Sequence, residues 1–252
     1  MRTKHVAFLA LILLLPWLSA CTESGAMPVT MLGGGVTAAG CADSSCTGFL
    51  ICQNFEGTGY DNSESWSEYI PVDGVLDEDD TTTPMRGSQQ LKNAGASSNY
   101  PIATSPSFTG SSTIGFHLRY RATDSTPASS RYMVSLHDSG DAVVMHLDIR
   151  TNGEIRVYHG TGYATTTDTP VADGTMVHLW GYYVAGSGAD GVYKLYKSAN
   201  STKPESKSID SSNGTSTADV EVIKLWEYNN ETGGAYFDQV LVSTAEIGTV
   251  CD

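Results

Sequence analysis

Two stretches near the middle of the chain alternate between apolar and polar side chains. The apolar members are Ile114, Phe116, Leu118 and Tyr120 in the first stretch and Val143, Met145, Leu147 and Ile149 in the second. Polar side chains stand between them, at His117, Arg119 and Arg121 and at His146, Asp148 and Arg150. A period of two is typical of a β-strand, which points successive side chains to opposite faces of its sheet. Each stretch therefore predicts a strand with one face toward a core and the other toward solvent or a ligand.

Shorter apolar runs separated by turn residues predict further strands. With the two above, the predicted strands cover 49–55, 87–91, 111–122, 131–137, 142–150, 154–159, 176–184, 191–197, 220–228 and 235–243. The pair Asn152 and Gly153, between two alternating segments, is a strong hairpin signal. No stretch keeps the period of a helix, and the 26 glycines suit short strands joined by turns. The pattern predicts an all-β protein, and 252 residues suffice for one sizeable core.

Three polar segments are predicted to be loops. The acidic run of Asp77, Glu78, Asp79 and Asp80 indicates a solvated loop rather than a metal site. Residues 186–191 match the glycine spacing of a dinucleotide-binding motif, but strand-like residues follow where that motif needs a helix, so we predict a hairpin turn. Residues 198–218 are polar and form the third predicted loop.

The N-terminus has the layout of a secretion signal. Arg2 and Lys4 precede an apolar run over residues 6–18 that is too short to span a bilayer comfortably. The run ends in Leu-Ser-Ala-Cys at residues 18–21, which resembles the lipobox of bacterial lipoproteins. That resemblance implies removal of residues 1–20 and lipid attachment to Cys21; the alternative is an ordinary signal peptide with a chance cysteine. Thr22, in place of Asp, implies the outer membrane or cell surface, with membrane contact through the lipid alone.

Residues 21–45 are small and polar and predict a flexible tether, so that the folded domain covers 46–252. Four cysteines remain, at Cys41, Cys46, Cys52 and Cys251. An even number in an exported protein indicates two disulfides, whereas no histidine stands at zinc-like spacing from these cysteines. If the first and last strands pair antiparallel, Cys251 should lie near Cys41 or Cys46 and farther from Cys52.

Charge narrows the classes of partner. The chain has 28 acidic and 14 basic residues and a net charge of −14, which argues against nucleic acid. Five of the seven arginines nevertheless fall between positions 119 and 156. Such a concentration in an acidic protein is the main sequence argument for a binding surface.

Three segments resemble the concanavalin A-like lectin/glucanase superfamily, especially its laminin G-like jelly rolls in exported bacterial proteins. They are the opening Leu50–Gly57 (LICQNFEG), the region around Trp180 and Gly191, and the closing Tyr236–Gly248 (YFDQVLVSTAEIG). The resemblance covers residues 46–252. It implies a two-sheet antiparallel β-sandwich whose termini lie side by side in one sheet.

The same resemblance implies a structural calcium ion near the terminal strands. Glu56 and Asp238 stand where its acidic ligands would be expected, and loop carbonyls would have to complete a shell of six to eight oxygens. The alternative is that both are strand-end carboxylates in water.

Polar and aromatic residues of the alternating strands are the candidate ligand-binding set. They are His117, Arg119, Arg121, His146, Asp148, Arg150, Arg156, Tyr158, His178, Trp180 and Tyr182. If their strands share a sheet, they form a basic and aromatic patch suited to an anionic polysaccharide, because guanidinium groups bind oxyanions and rings stack on sugars. The alternative is a solvated face on which the arginines pair with Asp148, Glu154 and other acids.

The sequence shows no convincing catalytic set. Glycanases of the superfamily use alternating acids, E-x-D-x-E, which are missing here. Polysaccharide lyases of this fold use Tyr or His with Arg, roles open to His117, His146, Arg119, Arg150 and Tyr158, although the Q-I-H signature is missing. No G-x-S-x-G elbow supports a Ser/His/Asp nucleophile.

The sequence thus favours an exported, lipid-anchored module that binds a polysaccharide or cell-surface glycan without catalysis. A lyase or glycoside hydrolase acting on an acidic polysaccharide is the first alternative. A structural spacer of the cell envelope is the second.

Overall fold

The described part of the chain contains fifteen β-strands. The computed structural model describes residues 46–57, 59–60, 64–94, 100–123, 130–158, 162–166, 169–187, 190–214, 216–226 and 234–250, with only the backbone of 211–214. The predicted signal segment, the tether with Cys21 and Cys41, and Cys251 lie outside these residues. Nowhere in the described ranges is there a helix long and apolar enough to cross a bilayer.

The strand bounds follow the predicted pattern closely in the middle of the chain. The strands are β1 (Ile51–Gln53), β2 (Ser67–Tyr69), β3 (Val75–Asp80), β4 (Gln90–Ala94), β5 (Ile102–Thr104), β6 (Thr113–Ala122), β7 (Arg131–His137), β8 (Val143–Ile149), β9 (Ile155–Tyr158), β10 (Tyr163–Thr165), β11 (Val177–Val184), β12 (Gly191–Ser198), β13 (Ile209–Gly214), β14 (Val222–Trp226) and β15 (Gly234–Ser243). The hairpin predicted from Asn152 and Gly153 joins β8 and β9.

The strands pair into two antiparallel sheets. The eight-stranded sheet has the order β13-β12-β11-β6-β15-β4-β3, with β1 also paired to β15, and the seven-stranded sheet has the order β10-β9-β8-β7-β14-β5-β2. One apolar core lies between them. It takes Phe116 and Leu118 from β6 and Leu147 and Ile149 from β8, each almost fully buried. Burial of one such side chain contributes about 1.5–3 kcal/mol. The predicted all-β sandwich is confirmed.

The first and last strands lie side by side, as the resemblance implied. Ile51 of β1 is opposite Val242 of β15, and the Leu50 amide donates to the Val242 carbonyl at 2.7 Å. Cys46 and Cys52 form a disulfide. Cys46 is therefore not a partner for Cys251, because its sulfur is already bonded to that of Cys52 in β1.

Two predicted loops are wrong, because each contains a strand. The acidic run belongs to β3, where Asp77 is opposite Lys92 of β4, and buried Asp80 accepts from Gln90 Nε2 at 2.8 Å. β3 is an edge strand, and edge strands tolerate charged side chains that blunt pairing with other chains. Within the predicted loop 198–218, residues Ile209–Gly214 form β13 at the other edge of the same sheet.

β-Bulges shift the alternation in several strands, among them β7, β8 and β15. Between β7 and β8 the register shifts twice, so that Val144 is buried while Val143, predicted to face the core, is 43% exposed. In β15 a further shift follows Asp238, where Gln239 takes a φ of 48°. A bulge puts two residues of one strand opposite one of its partner, which changes the face that later side chains reach.

The outer face of the eight-stranded sheet is covered by chain. The C-terminal segment, residues 244–250, crosses it, and Ile247 and Val250 join Trp180, Tyr196 and Leu241 in a second apolar cluster. Trp180 Nε1 donates to the Gly248 carbonyl at 2.9 Å. The loop between β3 and β4 covers the rest, with Thr82 and Met85 carbonyls accepting from arginines of β6.

Candidate functional site

The structure divides the predicted ligand-binding set between the two sheets. His117, Arg119, Arg121, His178, Trp180 and Tyr182 belong to β6 and β11 of the eight-stranded sheet, whereas His146, Asp148, Arg156 and Tyr158 belong to β8 and β9 of the seven-stranded sheet, with Arg150 just after β8. The single basic patch that depended on a shared sheet therefore does not form. Alternation shows which residues share one face of a strand, but it carries no information about which strands pair.

Most members on the eight-stranded sheet are buried under the covering segments. His117, Arg119, His178 and Trp180 are at most 2% exposed. His117 Nε2 and His178 Nδ1 are 3.1 Å apart, so one ring donates to the other. Burial, followed by the charges of His178 and Arg119, holds the pKa of His117 well below its usual range, so the ring is neutral. These side chains form a packed second layer rather than an open ligand surface.

Asp238 lies in the same layer and is fully buried. Neither of its carboxylate oxygens has a hydrogen-bond partner of normal geometry, although the Gln239 backbone N–H lies near enough to lower its pKa. Burial raises its pKa to about 7, opposed by Arg119 and reinforced by the nearby charge of Glu56. Glu56 itself accepts from the backbone N and Oγ of Ser88 at 2.9 and 3.0 Å.

This pair fits the donor chemistry of calcium, because hard carboxylate oxygens are the ligands that calcium prefers. Within the described ranges, no group of three or more His, Cys, Asp or Glu side chains could hold a metal ion. Carbonyl oxygens would therefore have to supply most of a calcium shell at Glu56 and Asp238.

The outer face of the seven-stranded sheet carries a row of rings. One ring comes from each of five neighbouring strands, and we call this set the aromatic row: Trp226 (β14), Tyr132 (β7), His146 (β8), Tyr158 (β9) and Tyr163 (β10). Successive ring centroids are 6.1, 4.5, 4.8 and 5.1 Å apart. Four strand spacings correspond to about 19 Å. The aromatic row is thus long enough for several sugar units.

Strand register holds the aromatic row in place. Tyr158 is directly opposite both His146 and Tyr163 on the neighbouring strands, so the three side chains share one face. His146 and Tyr158 stack at an interplanar angle of 14°. Tyr163 is 48% exposed at the sheet edge, while His146 in the centre is 7% exposed. The row therefore offers an exposed ring at one end and a shielded imidazole in the middle.

His146 has an unusual electrostatic setting. Burial, followed by the charges of Arg156 and His137, lowers the pKa of His146 to about 4. Its Nε2 atom has no hydrogen-bond partner. A neutral imidazole with an unengaged ring nitrogen can exchange a proton with a bound molecule.

The cations of this face are paired with carboxylates. Arg156 makes a two-pronged contact with buried Asp148, with Nε to Oδ1 at 2.9 Å and Nη2 to Oδ2 at 2.5 Å. Arg150 Nη1 lies 2.9 Å from Glu154 Oε2, and Lys224 Nζ lies 2.7 Å from Asp141 Oδ1. The alternative interpretation of the arginines, as partners of nearby acids, is confirmed for Arg150 and Arg156.

A chain of hydrogen bonds lies beside the aromatic row. Trp226 Nε1 donates to Ser135 Oγ at 2.5 Å, and Ser135 Oγ lies 2.7 Å from His137 Nε2. His137 Nδ1 lies 3.0 Å from both the backbone oxygen and Oδ1 of Asp141. Burial lowers the pKa of His137, and the hydrogen bond from Lys224 lowers that of Asp141. The imidazole is therefore neutral and the carboxylate ionised at neutral pH.

Sequence reasoning did not single out several residues of this face. They are Tyr132, Ser135, His137, Asp141, Tyr163, Lys224 and Trp226. Strict alternation along β7 would put Tyr132 on the opposite face from Ser135 and His137, and the register shift between Tyr132 and Val134 brings the three to one face. β10 is three residues long, too short for a periodic signal. An outward tryptophan at the end of β14, two residues after a lysine, was the only available cue.

Comparisons with known proteins bear on the fold. No protein-family model matches the chain, and no curated protein matches its sequence. Among solved structures, an endo-β-1,4-glucuronan lyase from the fungus Trichoderma reesei is 12% identical, with a TM-score of 0.58, and the match covers 78% of this chain and 96% of that one. A sialidase matches with a TM-score of 0.57 and 12% identity over 77% of this chain, which spans only 18% of that protein.

A third neighbour is botulinum neurotoxin type C, whose cell entry depends on interaction with two ganglioside molecules. It is 9% identical, with a TM-score of 0.51, over 80% of this chain and 49% of that one. At such identities the likeness shows the fold alone. The chain has the β-sandwich fold found in these proteins, which bind or act on carbohydrate.

Proposed function

We propose that this protein binds a glycan along the aromatic row of the seven-stranded sheet. The observation that carries the proposal is the alignment of five rings from five neighbouring strands on one face of the sheet. Aromatic rings present flat apolar surfaces on which sugar rings stack. The carbohydrate-related neighbours support a glycan over other ligands. Among the described residues, the opposite sheet shows no comparable row, since covering segments bury His117, Arg119, His178 and Trp180.

Stacking rather than charge would hold this glycan. Arg150, Arg156 and Lys224 each face a carboxylate, so little unpaired positive charge is left for an anionic sugar. Affinity for neutral oligosaccharides should therefore equal or exceed affinity for acidic ones of the same length. This part of the proposal replaces the anionic preference that the arginine count suggested.

A glycan array followed by calorimetry tests the proposal. Tyr163→Ala should weaken binding about fivefold, because loss of one stacked ring costs about 1 kcal/mol. Tyr69→Ala is the matched control, since Tyr69 is 50% exposed on the same sheet but lies on β2 at its far edge. Equal loss in both variants, or binding that survives Tyr163→Ala unchanged, contradicts a site on the aromatic row. A blank array favours the spacer alternative.

A polysaccharide lyase is the second candidate, favoured by His146. Its neutral ring and unengaged Nε2 suit a base that removes the proton beside a uronate carboxylate. The released electron pair forms a carbon–carbon double bond, and the glycosidic oxygen leaves with a proton from the Tyr158 hydroxyl. Of the residues that the resemblance offered for this role, His146 and Tyr158 lie together, whereas His117 and Arg119 are in the other sheet.

An absorbance assay for unsaturated uronate products distinguishes lyase from binding module. Alginate, pectate and heparinoids are the substrates, and His146→Gln should abolish any signal while Tyr69→Ala retains it. A flat trace for the wild-type protein removes the lyase option for those three substrates. Glycan binding measured on the same preparation would then identify the protein as a binding module.

We further propose that calcium binds at Glu56 and Asp238. Support comes from the two unpartnered, buried oxygens of Asp238 beside a second carboxylate. Calcium should raise the melting temperature of the wild-type protein after EDTA treatment. Asp238→Asn should remove this response, while Asp73→Asn, at an exposed turn, should keep it. A calcium response that persists in Asp238→Asn locates the ion elsewhere.

Lipid anchoring at Cys21 is proposed from the lipobox-like sequence. In a bacterial host, the wild-type protein should partition with membranes of the cell envelope, at the outer membrane or cell surface, and incorporate labelled fatty acid. Cys21→Ser should lose the label and move to the soluble fraction. Labelled Cys21→Ser protein would exclude Cys21 as the lipidated residue.

A further inference from the structure

Ser135 and His137 stand two residues apart on β7, on the face that carries the aromatic row. The hydrogen-bond chain around them has one consistent set of donors. His137 Nδ1 contacts the backbone oxygen and Oδ1 of Asp141, and Lys224 Nζ also contacts Oδ1. Because both oxygens can only accept, His137 Nδ1 must carry the proton. In the neutral ring, Nε2 is then an acceptor. The Ser135 hydroxyl is its donor at 2.7 Å.

Trp226 completes this assignment from the other side. Its indole N–H is a donor only, so Ser135 Oγ accepts from Trp226 and gives its own proton to His137. Asp141 takes a φ of 65°, a left-handed conformation uncommon for a residue other than glycine. That conformation brings the backbone oxygen and Oδ1 of Asp141 to the imidazole, while Lys224 from β14 contacts Oδ1.

A hydroxyl that donates to an imidazole, which in turn donates to a carboxylate, is the arrangement of an activated nucleophile. The 2.7 and 3.0 Å separations lie within the range for such a relay. We propose that Ser135 is an acyl-accepting nucleophile with His137 as its base, acting on small carboxylic esters such as the O-acetyl groups of a glycan. Asp141 is a positioning residue that acts through His137.

The reaction balances with water as the only other reactant. Ser135 Oγ attacks the ester carbonyl while its proton moves to His137 Nε2, and the tetrahedral intermediate collapses as the C–O bond to the sugar breaks. The sugar oxygen leaves with the proton from His137. Water then gives a proton to His137, attacks the acyl-serine and releases the carboxylic acid, and Ser135 recovers its proton.

Trp226 has two roles in this arrangement. Its N–H is the donor nearest to Oγ, and once Oγ is bonded to the acyl carbon this N–H can turn to the oxygen that gains negative charge. Its ring also lies over His137, with centroids 6.3 Å apart and nearly parallel planes. Ser135 is 2% exposed, so Oγ is shielded in this conformation and an ester reaches it only after a local rearrangement of the surrounding side chains. Reaction should therefore be slow with bulky acyl groups and faster with acetyl.

Covalent labelling with a small fluorophosphonate tests the nucleophile without any glycan. The folded wild-type protein should gain one phosphonyl adduct, located at Ser135 by peptide mass spectrometry. His137→Gln should slow labelling by about 100-fold, the usual contribution of a positioned base. Labelling of the unfolded protein provides the background rate. The folded wild-type protein should label faster than this background, because the reactivity of Ser135 depends on the fold.

Ser105→Ala is the matched control, because Ser105 is also a buried serine of the same sandwich but bonds only to backbone atoms. It should label as the wild type does, and 4-nitrophenyl acetate turnover should fall in Ser135→Ala but not in Ser105→Ala. Absence of a Ser135 adduct on the folded wild-type protein overturns the proposal, whether or not Ser135→Ala folds. Because neither probe is a sugar, the outcome is independent of glycan binding at the aromatic row.

Discussion

At the scale of single residues, Asp238 is notable because its carboxylate is fully buried. Its carboxylate is buried without a hydrogen bond of normal geometry, although Arg119 and the Gln239 backbone N–H are near enough to lower its pKa. Burial of an unpaired carboxylate disfavours the charged form, which is why the group holds its proton to about pH 7. The position is therefore a source of instability at neutral and alkaline pH unless a cation neutralises it.

Asp238→Asn should stabilise the protein at high pH in the absence of calcium. The unfolded carboxyl loses its proton near pH 3.8 and the folded one near pH 7, so wild-type stability falls across that interval and is level above it. Three pH units correspond to about 4 kcal/mol. Urea unfolding in EDTA should show the variant more stable by a few kcal/mol at pH 8 and equal near pH 3.5. A constant difference across this range would contradict the assigned cause.

At the scale of elements, the C-terminal segment closes the outer face of the eight-stranded sheet. It lies so close to β6 that a Cβ atom at Gly115 would be 2.1 Å from the Ala245 carbonyl oxygen. Only glycine allows that approach without movement of the backbone. The segment covers Trp180, so side chains on the outer face of the eight-stranded sheet are buried. On the seven-stranded sheet, part of the aromatic row is exposed.

Gly115→Ala should push the C-terminal segment off the sheet. The expected cost is about 1–3 kcal/mol of unfolding free energy, because the nearest atoms belong to backbone and cannot rotate away. Amide exchange at Val250, which bonds to the Ser201 carbonyl, should speed up more than exchange in β8. Gly234→Ala is the control, since its Cβ would meet nothing closer than 3.5 Å. Equal exchange at Val250 in both variants would show that the segment adapts to the methyl group.

At the scale of the whole molecule, the net charge of −14 sets how ligands approach. A protein of this charge repels polyanions at long range. At an ionic strength of 0.1 M, salt largely screens that repulsion beyond about 10 Å. Since the cations beside the aromatic row are paired, no local attraction offsets it. Charge therefore selects against acidic polysaccharides even though rings would stack on them.

The dependence of glycan affinity on ionic strength distinguishes a stacking site from a basic patch. Raising NaCl from about 20 to 300 mM should leave affinity for a neutral glycan unchanged and should strengthen binding of an acidic one. A basic patch predicts the reverse for the acidic ligand, because salt would weaken its attraction. Calorimetry with a matched neutral and acidic oligosaccharide measures both. If the acidic oligosaccharide binds more weakly at high salt, unpaired cations at the site attract it and this account is wrong.

Local pattern was enough to predict most of the sandwich. β7 has its predicted bounds, and the period of two in β6 and β8 identified their core-facing side chains apart from Val143. Three short strands were not predicted, because β2, β5 and β10 have three residues each and cannot establish a period. β3 was not predicted, because its acidic side chains are typical of a solvent-exposed loop. Its pairing with β4 makes it a strand.

The candidate site depended on the tertiary structure, for a reason that follows from the physics of sheets. Alternation within a strand is a local property, so the sequence by itself determined the all-β class and which side chains of β6 and β8 oppose the core, whereas the adjacency of the first and last strands was implied only by the superfamily resemblance. Sheet membership and bulges arise from pairings between distant residues. Those pairings put His117 and His146 in different sheets, buried one histidine beneath the C-terminal segment, and placed the other among four rings from neighbouring strands.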